Sequence, residues 1–111
     1  MKNYQDGGEA IVEAFRNLGV DYIMSSPGSE WSPVWEAMSR QTVEKNAGPK
    51  FIDCWHETVA IDMALGYTAV TGRMQAVLIH AGVGLMHGSM AMLSATKAEM
   101  PMVVMSDESF T

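Results

Sequence analysis

Cysteine is almost missing from this chain: Cys54 is the single one in 111 residues. No intramolecular disulfide can form, which fits a reducing compartment, and the apolar run around Cys54 points to an inert buried thiol. Clusters of Lys or Arg are also missing, and the formal charge is −6. Neither a nucleic-acid groove nor an anionic membrane surface is therefore expected as a partner. No segment approaches the ~20 apolar residues that a membrane span requires. The polar, acidic stretch from Met1 to Ala10 has no apolar core to act as a signal peptide. Together these absences lead us to expect a cytoplasmic protein. A glycine-rich dinucleotide fingerprint is missing after the first strand, so a Rossmann nucleotide site is not supported.

What remains is globular. The length allows one domain with a modest core, and 48% of the residues are hydrophobic against 18% charged. Met1 to Gly8 reads as a loose lead-in. Ala10, Ile11, Ala14, Phe15 and Leu18 then recur at helical spacing from Glu9 onward, with Gly19 as the stop. Val20 to Met24 reads as a strand, and Ser25 to Glu30 as a turn-forming loop. Ser32 looks like an N-cap with Pro33 at the first helical position, opening a helix to about Arg40. A polar connection leads to a second strand, Lys50 to Trp55. The helix after it runs from Glu57 to about Thr71 and closes on Gly72. Gln75 to His80 is a third strand, Ala81-Gly82-Val83-Gly84 a glycine turn, Leu85 to Ala98 a helix, and Pro101 to Ser106 a fourth strand.

Strands separated by helices in this rhythm are the βαβ signature. It implies an α/β fold: a parallel sheet with helices on both faces, flavodoxin-like in winding. Only Asp107 to Thr111 follow the last strand, so an incomplete domain of a longer enzyme is expected. Two helices are apolar almost all round, the one after Glu57 and the one after Gly84. A helix packed on one sheet keeps a polar outer face, so a further domain or a subunit interface should cover these two. The high methionine count, 11, suits adaptable packing at such surfaces better than a metal role.

The stretch Phe51-Ile52-Asp53-Cys54-Trp55-His56-Glu57 organises the rest. It places an acid where a parallel strand ends and a helix begins, the edge along which ligand clefts form. With Ile52, Trp55 and Val59 as sequence neighbours, Glu57 is a candidate for proton chemistry, because an apolar setting disfavours the charged carboxylate.

Several motifs occur in order: Gly19-Val20-Asp21-Tyr22-Ile23, Pro27-Gly28-Ser29, His56-Glu57, Gly66-Tyr67, Thr71-Gly72, Gly82-Val83-Gly84 and Pro101-Met102-Val103-Val104. Together they resemble the N-terminal pyrimidine-binding domain of thiamine-diphosphate enzymes, the group of acetolactate synthase, pyruvate decarboxylase and benzoylformate decarboxylase. The likeness runs from about Glu9 to Ser106, and the domain assignment is residues 1–111. It implies a 2-oxo acid decarboxylase or carboligase acting on a small 2-oxo acid or an aldehyde. In the family, the residue matching Glu57 bonds a ring nitrogen of the cofactor's aminopyrimidine and so activates the cofactor. The carboxyl must then share a proton near neutral pH. Burial favours this by penalising the charge, and outweighs the ~0.3–1 kcal/mol by which an exposed helix N-terminus favours the anion.

The resemblance extends to other positions. His80 matches a histidine that relays protons, a task suited to imidazole. Ser29 matches a serine that bonds the substrate carboxylate. Pro27, Gly28, Gly82 and Gly84 shape the cofactor contact through close backbone approach. His56 serves orientation or packing, and His87, where many relatives carry Asn, receives no role. Two departures stand out. Ala81-Gly82-Val83-Gly84 keeps the glycines of the family turn but loses its serine and proline, and Met105-Ser106-Asp107-Glu108 replaces a Thr-Gly-Gln. The magnesium-diphosphate motif, Gly-Asp-Gly followed later by Asn, is not among these residues. Thiamine diphosphate and Mg2+ would thus be held jointly with a diphosphate-binding domain, expected from a partner subunit of a homo-oligomer, and this chain alone should be inactive. No metal ligand is assigned here. The rival readings are a non-catalytic assembly domain of the same fold and an unrelated flavodoxin-like ligand-binding module.

Overall fold

The computed structural model describes residues 3–107. Its elements are α1 (Gly7–Asn17), β1 (Tyr22–Ser26), a 3-10 turn (Ser29–Trp31), α2 (Ser32–Val43), β2 (Lys50–Asp53), α3 (Glu57–Thr71), β3 (Gln75–Ile79), α4 (Val83–Lys97) and β4 (Met102–Ser106). The strands form one sheet in the order β2-β1-β3-β4, and every neighbouring pair is parallel. This is the α/β architecture and flavodoxin-like order expected from the rhythm of the sequence.

Alternation along the central strands sorts the core into two layers. Ile23, Ala76 and Leu78 face α1 and α2, where they meet Val12, Phe15, Val34, Ala37 and Met38. Met24, Val77 and Ile79 face α3 and α4 and meet Ala60, Ile61, Ala64 and Ala91. All of β3 is buried, as befits a strand covered on both faces. Gln75, polar yet fully buried, closes the amino edge of the sheet. Its Oε1 accepts from the backbone of Asp21 and Tyr22, while its Nε2 donates to the carbonyls of Arg73 and Met74. Every polar atom of that side chain is thus paired, as burial demands.

Element boundaries moved where side chains took other partners. Asp6 caps α1 by accepting from Glu9 N at 2.8 Å, so the helix starts at Gly7. Gly19 adopts φ 74° just beyond its end. Val20 N then bonds back to Phe15 O, which delays β1 to Tyr22 and carries it on to Ser26 beside β3. Ser32 is not an N-cap: its hydroxyl donates to Ser29 O at 2.6 Å, and it is the first residue of α2 itself. β2 ends at Asp53 and leaves Trp55 99% exposed.

The outer sides of α3 and α4 are open. Val59, Met63, Val70, Leu85, Met86, Met90 and Leu93 are all exposed, the uncovered apolar surface that the unbroken hydrophobic pattern of these helices implied. Asp107 is exposed and Glu108 lies outside the described residues.

Candidate active site

The carboxyl ends of β1, β2 and β3 bring most of the expected residues to one edge of the sheet. Glu57 is the first residue of α3 and is 7% exposed. Its covering differs from the sequence expectation. Trp55 points to solvent and Val59 is also exposed, because β2 stops before Trp55 can fold back over the edge. The first turns of α4 do the covering instead. A Cβ built on Gly84 would lie 3.1 Å from Glu57 Oε1, so a side chain there would crowd the carboxyl and glycine lets α4 sit this close without displacing it.

Two histidines flank this carboxylate. His87 Nδ1 stands 3.3 Å from Glu57 Oε2, and Thr58 Oγ1 donates to the carbonyl of His87 at 3.2 Å, fastening α3 to α4. His56 is the N-cap of α3, its Nδ1 accepting from Thr58 N at 3.0 Å. The two rings stack with centroids 5.1 Å apart. His56, Glu57 and His87 offer ligand atoms within 4.8 Å of one another. Two features oppose a cation there: His56 spends its Nδ1 lone pair on the cap, and a helix N-terminus repels positive charge.

On the other side of Gly84 sits His80, whose Cβ lies 3.1 Å from the same built Cβ position. His80 follows β3 directly, as expected, and its side chain is half exposed. Its Nδ1 lies 2.8 Å from Glu30 Oε1 and 3.0 Å from Oε2. Glu30 also accepts from Ala81 N at 2.8 Å. Burial pushes the Glu30 carboxyl up, but hydrogen bonds from its own backbone N–H, from His80 and from Ala81 outweigh that and leave it below the usual carboxylate value. The 3-10 turn carrying Glu30 is tied to the same strand end by Trp31 Nε1, which donates to Ile79 O at 2.9 Å.

Gly28 lies against this pair: a Cβ there would overlap His80 Nδ1 and Glu30 Oε2. Pro27 is half-buried beside it. Ser29 opens the 3-10 turn and is exposed. Gly82, at φ 60°, is the N-cap of α4 and is also exposed. Glu30, His80, Gly84, Glu57 and His87 therefore form one arc along the edge, with Ser29 and Gly82 on its outer side. Neither the contact of Glu30 with His80 nor that of His87 with Glu57 was anticipated. The first was legible in part, since β1 and β3 are neighbours in a flavodoxin-like order and their following loops must touch. Cys54 is buried, and burial raises its thiol above the ordinary value, in keeping with an inert side chain.

Known proteins share this pattern. Residues 5–111 match the family model described as "Thiamine pyrophosphate enzyme, N-terminal TPP binding domain". The chain is 30% identical over 102 residues to the acetolactate synthase large subunit of Haemophilus influenzae, covering 92% of this chain and 17% of that protein. It is 30% identical over 100 residues to the sulfoacetaldehyde acetyltransferase of Rhodobacter capsulatus, covering 90% of this chain and 16% of that one. Among solved structures, the thiamine diphosphate-dependent 4-hydroxybenzoylformate decarboxylase of Rhodococcus jostii RHA1 superimposes with a TM-score of 0.75 at 22% identity. That match covers 91% of this chain and 18% of the decarboxylase. The chain thus spans about a sixth of the length of the curated relatives it matches.

Proposed function

The chain belongs to the thiamine pyrophosphate enzyme family through its N-terminal TPP-binding domain, and from that membership we propose that it forms the pyrimidine-binding half of a 2-oxo acid decarboxylase or carboligase. Residues 1–111 constitute that half. The observation that carries the proposal is the buried carboxyl of Glu57 at the carboxyl edge of the sheet, with the Gly84 backbone packed close against it.

The residues fit the aminopyrimidine end of thiamine diphosphate. Glu57 offers a carboxyl oxygen, and the Gly84, Pro27-Gly28 and Gly82 backbones border the same edge. When bound, the cofactor supplies a nucleophilic carbon and an electron sink for a carbonyl substrate. The work of this chain is to place protons. Glu57 holds the ring-nitrogen hydrogen bond through a carboxyl oxygen. His87 and His56 orient that carboxyl. His80 carries protons to and from the substrate side of the cleft, and the hydroxyl of Ser29, outside the arc, meets a substrate carboxylate. The charged diphosphate and its Mg2+ would rest on a diphosphate-binding domain, brought by a partner subunit against the exposed faces of α3 and α4. The same arrangement makes the isolated chain inactive and the working protein a homo-oligomer. A cytoplasmic setting is proposed with it.

Calorimetry of the intact protein with thiamine diphosphate and magnesium tests this reading. Saturable, magnesium-dependent heat that is lost in Glu57→Ala is expected. No heat in the intact protein would favour the unrelated ligand-binding module. Heat with no turnover of any 2-oxo acid or aldehyde would favour the assembly domain.

A further inference from the structure

We propose that Glu30 is a positioning residue for His80: the two form a carboxylate–imidazole dyad that fixes the imidazole as its Nδ1–H tautomer and leaves Nε2 as the working nitrogen. Four observations support it. The carboxylate grips Nδ1 with both oxygens, at 2.8 and 3.0 Å. An ionised carboxylate only accepts, so the proton between them belongs to the ring. Glu30 is itself held from a second direction by Ala81 N at 2.8 Å, and its side chain is 11% exposed whereas that of His80 is 53% exposed. The acid is thus the fixed partner and the imidazole the accessible one. Its lowered proton affinity keeps it anionic at neutral pH.

The surroundings are built for the pair. Gly28 lies where any Cβ would strike both His80 Nδ1 and Glu30 Oε2. The backbone of His80 is anchored by Ser106 Oγ, which donates to its carbonyl at 3.3 Å. Trp31 Nε1 bonds Ile79 O and keeps the Glu30 turn on the end of β3. Two loops distant in sequence are clamped at one point, which a solvated glutamate would not require.

The chemistry is a reversible proton transfer. The Nε2 lone pair takes a proton from a group in the cleft, giving an imidazolium whose new charge faces the Glu30 carboxylate. Return of that proton restores the neutral Nδ1–H ring. Without the carboxylate both tautomers coexist, and the fraction with Nδ1 unprotonated has its proton on Nε2 and cannot act as a base there. The inference rests on the proposed function only for the identity of the group that exchanges protons with Nε2.

Imidazole 15N NMR of the protein reads the tautomer directly and needs no cofactor. In alkaline buffer, His80 should show a protonated Nδ1 and an unprotonated Nε2. In Glu30→Ala, with the amide spectrum otherwise retained, His80 should become a mixture of tautomers. An Nε2–H ring in the wild type, or an unchanged tautomer in Glu30→Ala, overturns the dyad. If Glu30→Ala does not fold, Glu30→Gln keeps an acceptor for Ala81 N and should keep the fold. Its His80 should lose the single Nδ1–H form, and wild-type signals there overturn the proposal. In the intact enzyme, Glu30→Gln should lower kcat about tenfold or more with KM unmoved, and wild-type kcat overturns it. The two failures separate: an Nδ1–H tautomer without any thiamine diphosphate-dependent turnover supports the dyad and defeats only the functional reading.

Discussion

Replacing Gly28 by alanine tests the packing of the site against the packing of the fold. At Gly28 the backbone has φ −115° and ψ 176°, a conformation alanine adopts freely, so the substitution carries no backbone strain. Loss of unfolded-state entropy should even stabilise by roughly 0.4–1 kcal/mol. Against that, the new methyl displaces the ends of His80 and Glu30. A charge-assisted bond is worth about 1.5–3 kcal/mol, but His80 is 53% exposed, and solvent screening reduces its share to about 1 kcal/mol. The bond from Ala81 to Glu30 adds about 1 kcal/mol more if it is lost as well. The net expectation is a destabilisation of roughly 1 kcal/mol.

Gly8→Ala supplies the contrast. A Cβ there would collide with the backbone of Pro33 and stand 2.7 Å from Val34 N. Those are main-chain atoms of α2 that cannot rotate aside, so α1 must move off its neighbour. Overpacking of this kind costs about 1–3 kcal/mol or more. Urea unfolding of both variants beside the wild type measures the difference. Equal losses in the two, or a Gly28→Ala protein that is destabilised more than Gly8→Ala, would refute the view that Gly28 serves the dyad and not the fold.

Other consequences follow from the same contacts. The folded Glu30 carboxyl lies below its ordinary value of 4.5. Its stabilisation is therefore complete above that value and is lost as pH falls through the lower, folded one. The stability gap between wild type and Glu30→Gln should accordingly be full at neutral pH and shrink below 4.5, and a gap that widens in acid would contradict the assignment. Cys54 is 6% exposed with a raised thiol, so alkylation should proceed only at the rate of unfolding; fast labelling of the native protein would show the site open. Met86 and Met90 are 76% and 71% exposed. Met86→Glu with Met90→Glu should leave the unfolding free energy of the fold within about 0.5 kcal/mol per site while abolishing assembly of the intact protein in sedimentation. Retained assembly would remove this face as the interface.

Much of the architecture was legible before any coordinates. The alternation of strand and helix set the parallel sheet, and a run of small and apolar residues marked α3 within the bounds it occupies. What escaped was set by single side chains answering distant partners. Ser32 looked like a cap, but its hydroxyl found Ser29 O. Gln75 gave no outward sign that it would be buried and fully paired at the sheet's amino edge. Glu57 was expected at a ligand-facing edge in an apolar setting, yet Trp55, its nearest aromatic in sequence, is turned to solvent. The cover comes from Gly84 and the first turns of α4, beyond the reach of local pattern. Glu30 was read as a loop residue because the residue that explains it, His80, belongs to the end of another strand.

Exchange of the proton on the reactive thiazolium carbon of bound thiamine diphosphate measures the role of Glu57 most directly. In deuterated buffer, the loss of that proton can be timed by quenched-flow NMR in the intact protein and in Glu57→Gln. Exchange slowed by about 10²–10⁴-fold in the variant, the range of a positioned acid–base group, is the expected result. Exchange at the wild-type rate, with the cofactor still bound, would contradict it.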